Sequence, residues 1–301
     1  MICIPIENRY AFNMDTELLK AFVTVAELGS FSLAADALHL TQPAVSKRIA
    51  LLEEQLHSKL FDRIPRAVSL TETGRILLPR ANEILRQIGE TRQAIDDLSG
   101  SITGSLSVAI SHHIGLHRIP DVLKKYVNLY PQVTMDVDFM DSEVAYDLVL
   151  HGKFEIAVIT LAPEDPHAIV SHPIWDDPLV LVASAEHPLA MQHNVSLQTL
   201  TEYPAILPGM NTYTGRMIQQ LFIKAGKELN ASMATNYLET IKMMVSVGLG
   251  WSLLPETMVD SSLRAIPCKS LGLTRKLGYI HHRERTLSRA AGRFIALLEG
   301  E

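Results

Sequence analysis

The sequence predicts a multi-domain chain of the α+β class: helices and a small hairpin first, then a long linker helix, then a two-lobed α/β portion. Three observations predict it. Apolar residues recur at helical spacing through the first sixty positions, with short turns between the runs. A heptad seam follows from Leu77 to Leu98. Beyond Gly104, strand and helix patterns alternate in two successive sets. Hydrophobic residues make up 47% and charged residues 20% of the 301, a globular balance that argues against wholesale disorder. No apolar run approaches the roughly 20 residues of a membrane-spanning helix, so no membrane partner is expected.

Residues 1–13, MICIPIENRYAFN, begin apolar but lack the basic region and small-residue cleavage site of a secretory signal. They are expected to form a disordered extension, which leaves Met1 and Met14 as alternative starts. The two cysteines, Cys3 and Cys268, exclude a disulfide framework or a Cys-based zinc site and suit a reducing cytoplasm.

Met14 opens the first helix, which carries Leu18, Leu19, Phe22, Val23, Val25 and Ala26 on its apolar face and ends at Gly29. Ser32 is the expected N-cap of a short helix, Leu33–Leu38, and His39-Leu40 makes a brief turn. Thr41 caps a third helix with Pro43 in its first turn, where the missing N–H does no harm. That helix buries Val45, Ile49, Leu52 and Leu56. Gln42, Ser46 and Lys47, flanked by Arg48, lie towards its other side. Two short helices joined by such a turn form a helix-turn-helix, whose second helix presents N-terminal side chains to a DNA major groove. Gln pairs with adenine, Lys with guanine, and Ser with base edges or phosphate. Residues 61–70 read as two short strands around a basic turn, a wing able to reach phosphate or the minor groove. A plain three-helix bundle with a polar surface satisfies the same periodicity.

Charge does not separate these alternatives. Residues 14–73 hold six Lys/Arg against eight Asp/Glu, a balance of −2 within a chain of net charge −6. Position is more informative: Lys47, Arg48, Lys59, Arg63 and Arg66 all follow the turn between the short helices. A local basic face binds phosphates even on an acidic domain, although the salt-dependent attraction is then modest.

Several fixed spacings carry a resemblance. Ser30-Phe31-Ser32-Leu33-Ala34-Ala35 is followed by Leu38, Leu40-Thr41-Gln42-Pro43-Ala44-Val45-Ser46, Ile49 and Leu52-Glu53. Leu60-Phe61-Asp62-Arg63 and Leu70-Thr71-x-x-Gly74 come next. Over about sixty positions this resembles the LysR-type transcriptional regulators. The resemblance implies a winged helix-turn-helix DNA-binding domain over 14–73, with Gln42, Pro43, Ser46 and Lys47 facing bases. Ser32, Thr41, Arg63 and Arg66 would hold the backbone or the adjacent minor groove, with Arg48 beside them. Many relatives carry Arg where Lys47 stands; Lys gives a less directional contact, which bears on operator preference.

Thr71 can cap a long helix from about Glu72 to Leu98. Leu77, Ala81, Ile84, Ile88, Thr91, Ile95 and Leu98 are spaced alternately by four and three, a heptad seam, and Pro79 is expected to bend the helix early. A lone amphipathic helix packed on its own domain is the alternative. The resemblance makes residues 74–99 a dimerisation linker and implies a homodimer, a further homotetramer, and a roughly palindromic promoter site on double-stranded DNA. RNA polymerase is a further candidate partner, and the expected location is the cytoplasm, at the nucleoid.

Ser99-Gly100-Ser101-Ile102-Thr103-Gly104 reads as a domain boundary. Strands follow at Ser105–Ile110, Val133–Phe139 and Phe154–Thr160, with helices at Leu116–Tyr130 and Ser142–Leu150. After a strand at Leu179–Ala183, Leu189–Thr199 looks irregular with a short helix. A second set follows: strand Ala205–Leu207, helix Tyr213–Ala225, strand Ala231–Thr235, helix Leu238–Val247, strand Gly250–Leu254. This alternation predicts mainly parallel sheets in two lobes with a cleft between, linked near Trp175–Leu181 and Leu273–Tyr279. Lobe I takes about 104–175 and 275–301, including a final helix Thr286–Leu298; lobe II takes about 176–274. By resemblance, 104–301 is a LysR effector domain, similar in fold to periplasmic binding proteins. Val245-Ser246-Val247-Gly248-Leu249-Gly250-Trp251-Ser252-Leu253-Leu254-Pro255 fits that family's V-x-x-G-x-G-x-x-x-L-P pattern.

Open α/β sheets bind ligands at the carboxyl ends of their strands, where helix N-termini point. This selects Ser111, His112, His113, Thr160, Asn211, Thr212, Tyr213, Thr214, Tyr237 and Glu239 as effector contacts. Hydroxyls and backbone N–H groups there suit a small carboxylate or similar anion; simple N-caps and surface histidines are the competing roles. His113 and His117 stand one helical turn apart, but no Cys or acidic residue accompanies them at fixed spacing, so neither metal nor cofactor is expected. No nucleophile elbow, P-loop or dinucleotide fingerprint is present, which argues against an enzyme. An exported solute-binding protein and an architectural DNA binder are the remaining readings of the two halves.

Overall fold

The computed structural model describes residues 15–64, 67–96, 102–164, 167–192, 195–268 and 270–300. The chain forms two compact units that divide between Ile95 and Asp96. The extension 1–13 and Met14 lie outside the described residues.

In the first unit, α1 spans Thr16–Leu28 rather than opening at Met14, because the Asp15 carboxylate accepts from Glu17 N–H and caps it. Gly29 ends it in the left-handed region, as expected. α2 runs Phe31–Ala37 and its cap is Ser30, which accepts from Leu33 N–H; Ser32 sits exposed in the first turn. Both serines stand beside the same apolar run, and a two-residue difference in start decides which of them takes extended backbone. α3 spans Gln42–Gln55 with Thr41 as N-cap. Val45, Ile49 and Leu52 are fully buried against Leu19, Phe22 and Val25 of α1, while Leu56, the C-cap, is half-buried. β1 (Phe61–Ile64) and β2 (Ala67–Leu70) pair antiparallel, with their connecting turn outside the described residues.

α4 spans Glu72–Asp96. Thr71 caps it, donating to Lys59 C=O (2.7 Å) while accepting from Gly74 N–H (3.0 Å). The helix continues through Pro79. Its seam divides: Leu77 and Ala81 pack into the core of this unit, whereas Ile84, Ile88, Thr91 and Ile95 stay exposed. Leu98 lies outside the described residues.

In the second unit β3 (Gly104–Ser111) is the inner strand of a parallel trio, flanked by β4 (Val133–Met140) and β5 (Ile156–Thr160). The helix expected at Leu116–Tyr130 is two: α5 (His112–His117) and α6 (Pro120–Leu129). Pro120 starts α6, since proline suits a first turn and not an interior one. α7 spans Ser142–Leu150. β6 is a single strand of 15 residues, Ile169–Ala183, of which only the second part had a strand pattern.

Beyond β6 come a short 3-10 turn at Pro188–Met191, α8 (Leu197–Thr201), β7 (Ala205–Leu207), α9 (Tyr213–Lys224), β8 (Ala231–Ala234), α10 (Leu238–Ser246) and β9 (Ser252–Pro255). β10 (Arg264–Ala265) and β11 (Leu273–His282) follow, and α11 is Arg289–Glu299, capped by Ser288.

The expectation of mainly parallel sheets is corrected. Among the described residues the large sheet has seven strands, and β11 runs antiparallel to both β5 and β6, as do β9 and β10 to β6. The reason is β6 and β11 themselves, long strands that pair across the middle and pass between two cores. Leu106, Ile110, Tyr126 and Phe294 anchor one core, to which α11 returns; Leu181, Phe222, Trp251 and Leu253 anchor the other. Each crossover strand therefore serves both lobes.

Candidate functional site

Of the N-terminal candidates, Gln42, Pro43, Ser46, Lys47 and Arg48 stand on α3 with Thr41 as its cap, while Ser32 is on α2. Thr41, Gln42, Pro43 and Lys47 are exposed, and Gln42 Nε2 donates to Ser46 Oγ at 3.2 Å across one turn. Arg48 is differently placed: its guanidinium lies 3.1 Å from Glu17 Oε2 and is half-buried, so part of its charge is spent inside the unit. Hydrogen bonding and charge from Lys20, then Arg48, hold the Glu17 carboxyl below its ordinary range. Arg63 pairs its backbone with Val68 in the hairpin, while its side chain and all of Arg66 lie outside the described residues.

Glu53, part of the motif run, is 93% buried from solvent yet charged. It accepts from Lys59 Nζ (2.6 Å) and Leu60 N–H (3.0 Å), fastening the end of α3 to the hairpin. Burial pushes its carboxyl up, and these two bonds push further down, leaving it below the usual value.

In the second unit the carboxyl ends of β3, β4, β5 and β7 open on one cleft. A cavity of about 60 Å³ there is lined by Ser111, His112 and His113 after β3, and by Met140, Asp141, Ser142 and Glu143 after β4. Thr160 lines it from β5, and Pro208, Thr212, Thr214, Asn236, Leu238 and Arg275 complete it. It has room for a few waters or one small functional group, because contacts across it hold it narrow. Glu143 accepts from Tyr213 N–H at 2.5 Å, Asn236 Nδ2 donates to Asp141 Oδ2 at 2.6 Å, and His117 Nε2 meets Glu239 Oε1 at 2.9 Å. The His112 ring packs on Tyr237 with centroids 4.9 Å apart.

Of the residues expected to contact a ligand, Ser111, His112, His113, Thr160, Thr212 and Thr214 line this cavity. Asn211 is exposed, and Tyr213, Tyr237 and Glu239 lie outside the lining although the last three bridge the cleft. Thr212 also acts as a cap, accepting from Gly215 N–H. Ser111 caps nothing with its side chain, so its buried hydroxyl is available to the cavity. Burial, then the Glu143 carboxylate, pushes the Tyr213 phenol up to about 12.

Asp141, Ser142 and Glu143 were missed, although the rule that found Ser111 applies equally to the end of β4. Arg275 and Asp177 had no sequence signal. They face each other on β11 and β6, the guanidinium bonding Asp177 Oδ2 through Nε (3.0 Å) and Nη2 and reaching Thr214 Oγ1 through Nη1 (3.2 Å). Both are almost completely buried, so this cation is already matched inside the protein. His113 is buried beside them. Burial and then the Arg275 charge push it down to about 4, so it is a neutral imidazole near pH 7.

Known proteins share both parts. Residues 16–75 match the family model described as bacterial regulatory helix-turn-helix protein, lysR family, and 99–301 match that of the LysR substrate binding domain. The HTH-type transcriptional regulator YbhD of Escherichia coli is 33% identical over 287 residues, covering 93% of this chain and 89% of that protein. Full-length CbnR, solved in complex with its target DNA, has a TM-score of 0.65 at 22% identity, covering 95% of this chain and 99% of its own. The regulatory domain of CcmR from Synechocystis PCC6803, solved in complex with 2-PG, has a TM-score of 0.59 at 22% identity over 65% of this chain and 96% of its own.

Proposed function

The chain belongs to the LysR family of DNA-binding transcriptional regulators, which are not enzymes, and we propose that its effector is a small anion seated between the lobes. One observation carries this reading: the Glu143 carboxylate accepts the Tyr213 N–H at the start of α9. Unpaired N–H groups and the helix dipole make a helix start an anion seat, and here a carboxylate of the protein's own stands in it. An effector carboxylate can replace it, with Ser111, Thr160, Thr212 and Thr214 offering hydroxyls around the cavity.

Ligand binding then exchanges the Glu143–Tyr213 link for ligand contacts and shifts the lobes' relative orientation. The linker helix passes this on as a shift between two DNA-bound geometries, which requires different effector affinity for each. Gln42, Pro43, Ser46 and Lys47 read bases; Ser32, Thr41, Arg48, Arg63 and Arg66 hold the backbone. The exposed part of the α4 seam pairs two chains, two pairs form the tetramer on a roughly palindromic promoter in the cytoplasm, and RNA polymerase is the candidate contact there.

Two experiments test this. Calorimetry and thermal shift of the full chain against small carboxylates, amino acids and aromatic acids should find an anionic binder. Glu143→Ala should tighten that binder by on the order of tenfold, about 1.4 kcal/mol. A ligand whose binding survives combined Ser111→Ala and Thr212→Ala would place the pocket elsewhere. Footprinting the promoter beside the protein's own gene at moderate salt should protect a roughly palindromic site; an unprotected promoter rejects the operator reading.

A further inference from the structure

Beside the anion seat, and sharing with it only His113 of the cavity lining, stands a second group of side chains. His113 and His117 project from α5 one turn apart, with ring centroids 4.8 Å from each other. Glu239, in the first turn of α10 on the opposite lobe, brings Oε1 to 2.9 Å from His117 Nε2 and 3.7 Å from His113 Nδ1. One ligating atom from each of the three lies within 4.8 Å of the other two.

We propose that His113, His117 and Glu239 bind a divalent transition-metal ion, Zn²⁺ or a chemically similar Ni²⁺ or Co²⁺, that clamps the two lobes together.

Three features support the assignment. The first is spacing. Bonds of about 2.0–2.1 Å in a tetrahedral centre put neighbouring ligand atoms roughly 3.3 Å apart, between the two separations measured to Glu239. The three ligand atoms lie within 4.8 Å of one another, and binding requires side-chain rotation to draw them to that spacing. The second is an unmet need: His113 is 93% buried, and neither of its ring nitrogens has a hydrogen-bond partner among the described residues. A buried imidazole leaves such groups unpaired at a cost, and a metal bond removes one of them. The third is ligand type. Two imidazoles and a carboxylate suit the borderline ions and not Mg²⁺ or Ca²⁺, which prefer all-oxygen shells. A fourth position remains for water.

Two of the ligands belong to one lobe and the third to the other, so the ion favours the arrangement in which all three meet. Metal and anion would therefore both act on the width of the cleft, the metal through His117 and Glu239 and the anion at Tyr213 N–H, with His113 between them.

The test uses the untagged full-length chain, stripped with a chelator and dialysed. Zn²⁺ is titrated in competition with a chromogenic chelator, and Co²⁺ is followed by its visible absorption. One ion per protomer should bind, with a four-coordinate Co²⁺ spectrum, and Zn²⁺ should raise the thermal midpoint. His117→Ala and Glu239→Gln, both on half-exposed side chains, should each weaken Zn²⁺ at least about tenfold and abolish the thermal shift. His113→Ala should do the same if it folds, and the other two decide the matter if it does not. His172→Ala, a histidine stacked on Tyr279 in β11, should leave Zn²⁺ affinity unchanged. Binding that survives Glu239→Gln and His117→Ala, or no stoichiometric Zn²⁺ binding to the wild-type chain, would overturn the proposal.

Discussion

Lys47 and Arg48 are adjacent cations with different surroundings. Lys47 is exposed on the second turn of α3, whereas Arg48 is held by Glu17. Lys47→Ala should weaken operator binding by about 1–3 kcal/mol and relax base preference at one position; Arg48→Ala should cost less, and evenly across sequences. Fluorescence anisotropy on operator variants separates the two, and equal, sequence-independent losses would reject a base-reading role for Lys47. Another residue-scale effect concerns acid. His187 is buried and accepts Leu189 N–H on Nδ1 (3.2 Å), and burial holds its pKa below the ordinary value. The unfolded chain takes up this proton near pH 6.5 and the folded chain resists, so stability is lost as pH falls through that region. The thermal midpoint should drop between pH 7.5 and 5.5, and less steeply in His187→Gln. Unchanged slopes would show that another group controls the drop.

At the scale of elements, α4 is the clearest case. Its heptad seam was legible, but a repeat cannot say what covers it. Leu77 and Ala81 are covered by their own unit, while Ile84, Ile88 and Ile95 remain 38%, 36% and 62% exposed. Ile88→Glu should therefore disrupt self-association with little effect on folding. Sedimentation should show a lighter species, and operator affinity should fall by more than tenfold because two linked modules bind with a raised effective concentration. An unchanged mass would assign the seam another role. The motif glycines also acquire reasons here. A Cβ on Gly74 would stand 2.3 Å from the Leu60 carbonyl oxygen, and one on Gly250 2.3 Å from that of Pro204, while Gly248 adopts φ +86°. The L-T-x-x-G and G-x-G spacings mark places where backbones touch or turn left-handed.

For the molecule as a whole, β6 and β11 matter most, because they run through both lobe cores and bury the Arg275–Asp177 pair between them. Breaking such a pair leaves one charge buried and unmatched, typically at about 3–5 kcal/mol. Arg275→Met should destabilise the chain by roughly that amount in urea titration, and Asp177→Leu added to it should restore a substantial part. If the double variant is no better than the single, the pair is not the unit of cost.

Most of the strands and helices in their order, the fixed-spacing motif of the first unit and the seam of α4 were determined by sequence, since each is a local pattern of side chains along one element; the break between α5 and α6, the first part of β6 and the short β10 were not. Ser111, His113, Thr160, Thr212 and Thr214 were legible in the same way, as residues at strand ends. The mixed direction of the large sheet was not, because strand patterns carry no record of their partners' direction. Nor were Glu143 of α7 against Tyr213 of α9, Arg275 against Asp177, or Glu239 beside His113 and His117. Those pairs are separated by some 70 to 126 positions, and only the folding of two lobes about shared strands brings them within bonding distance.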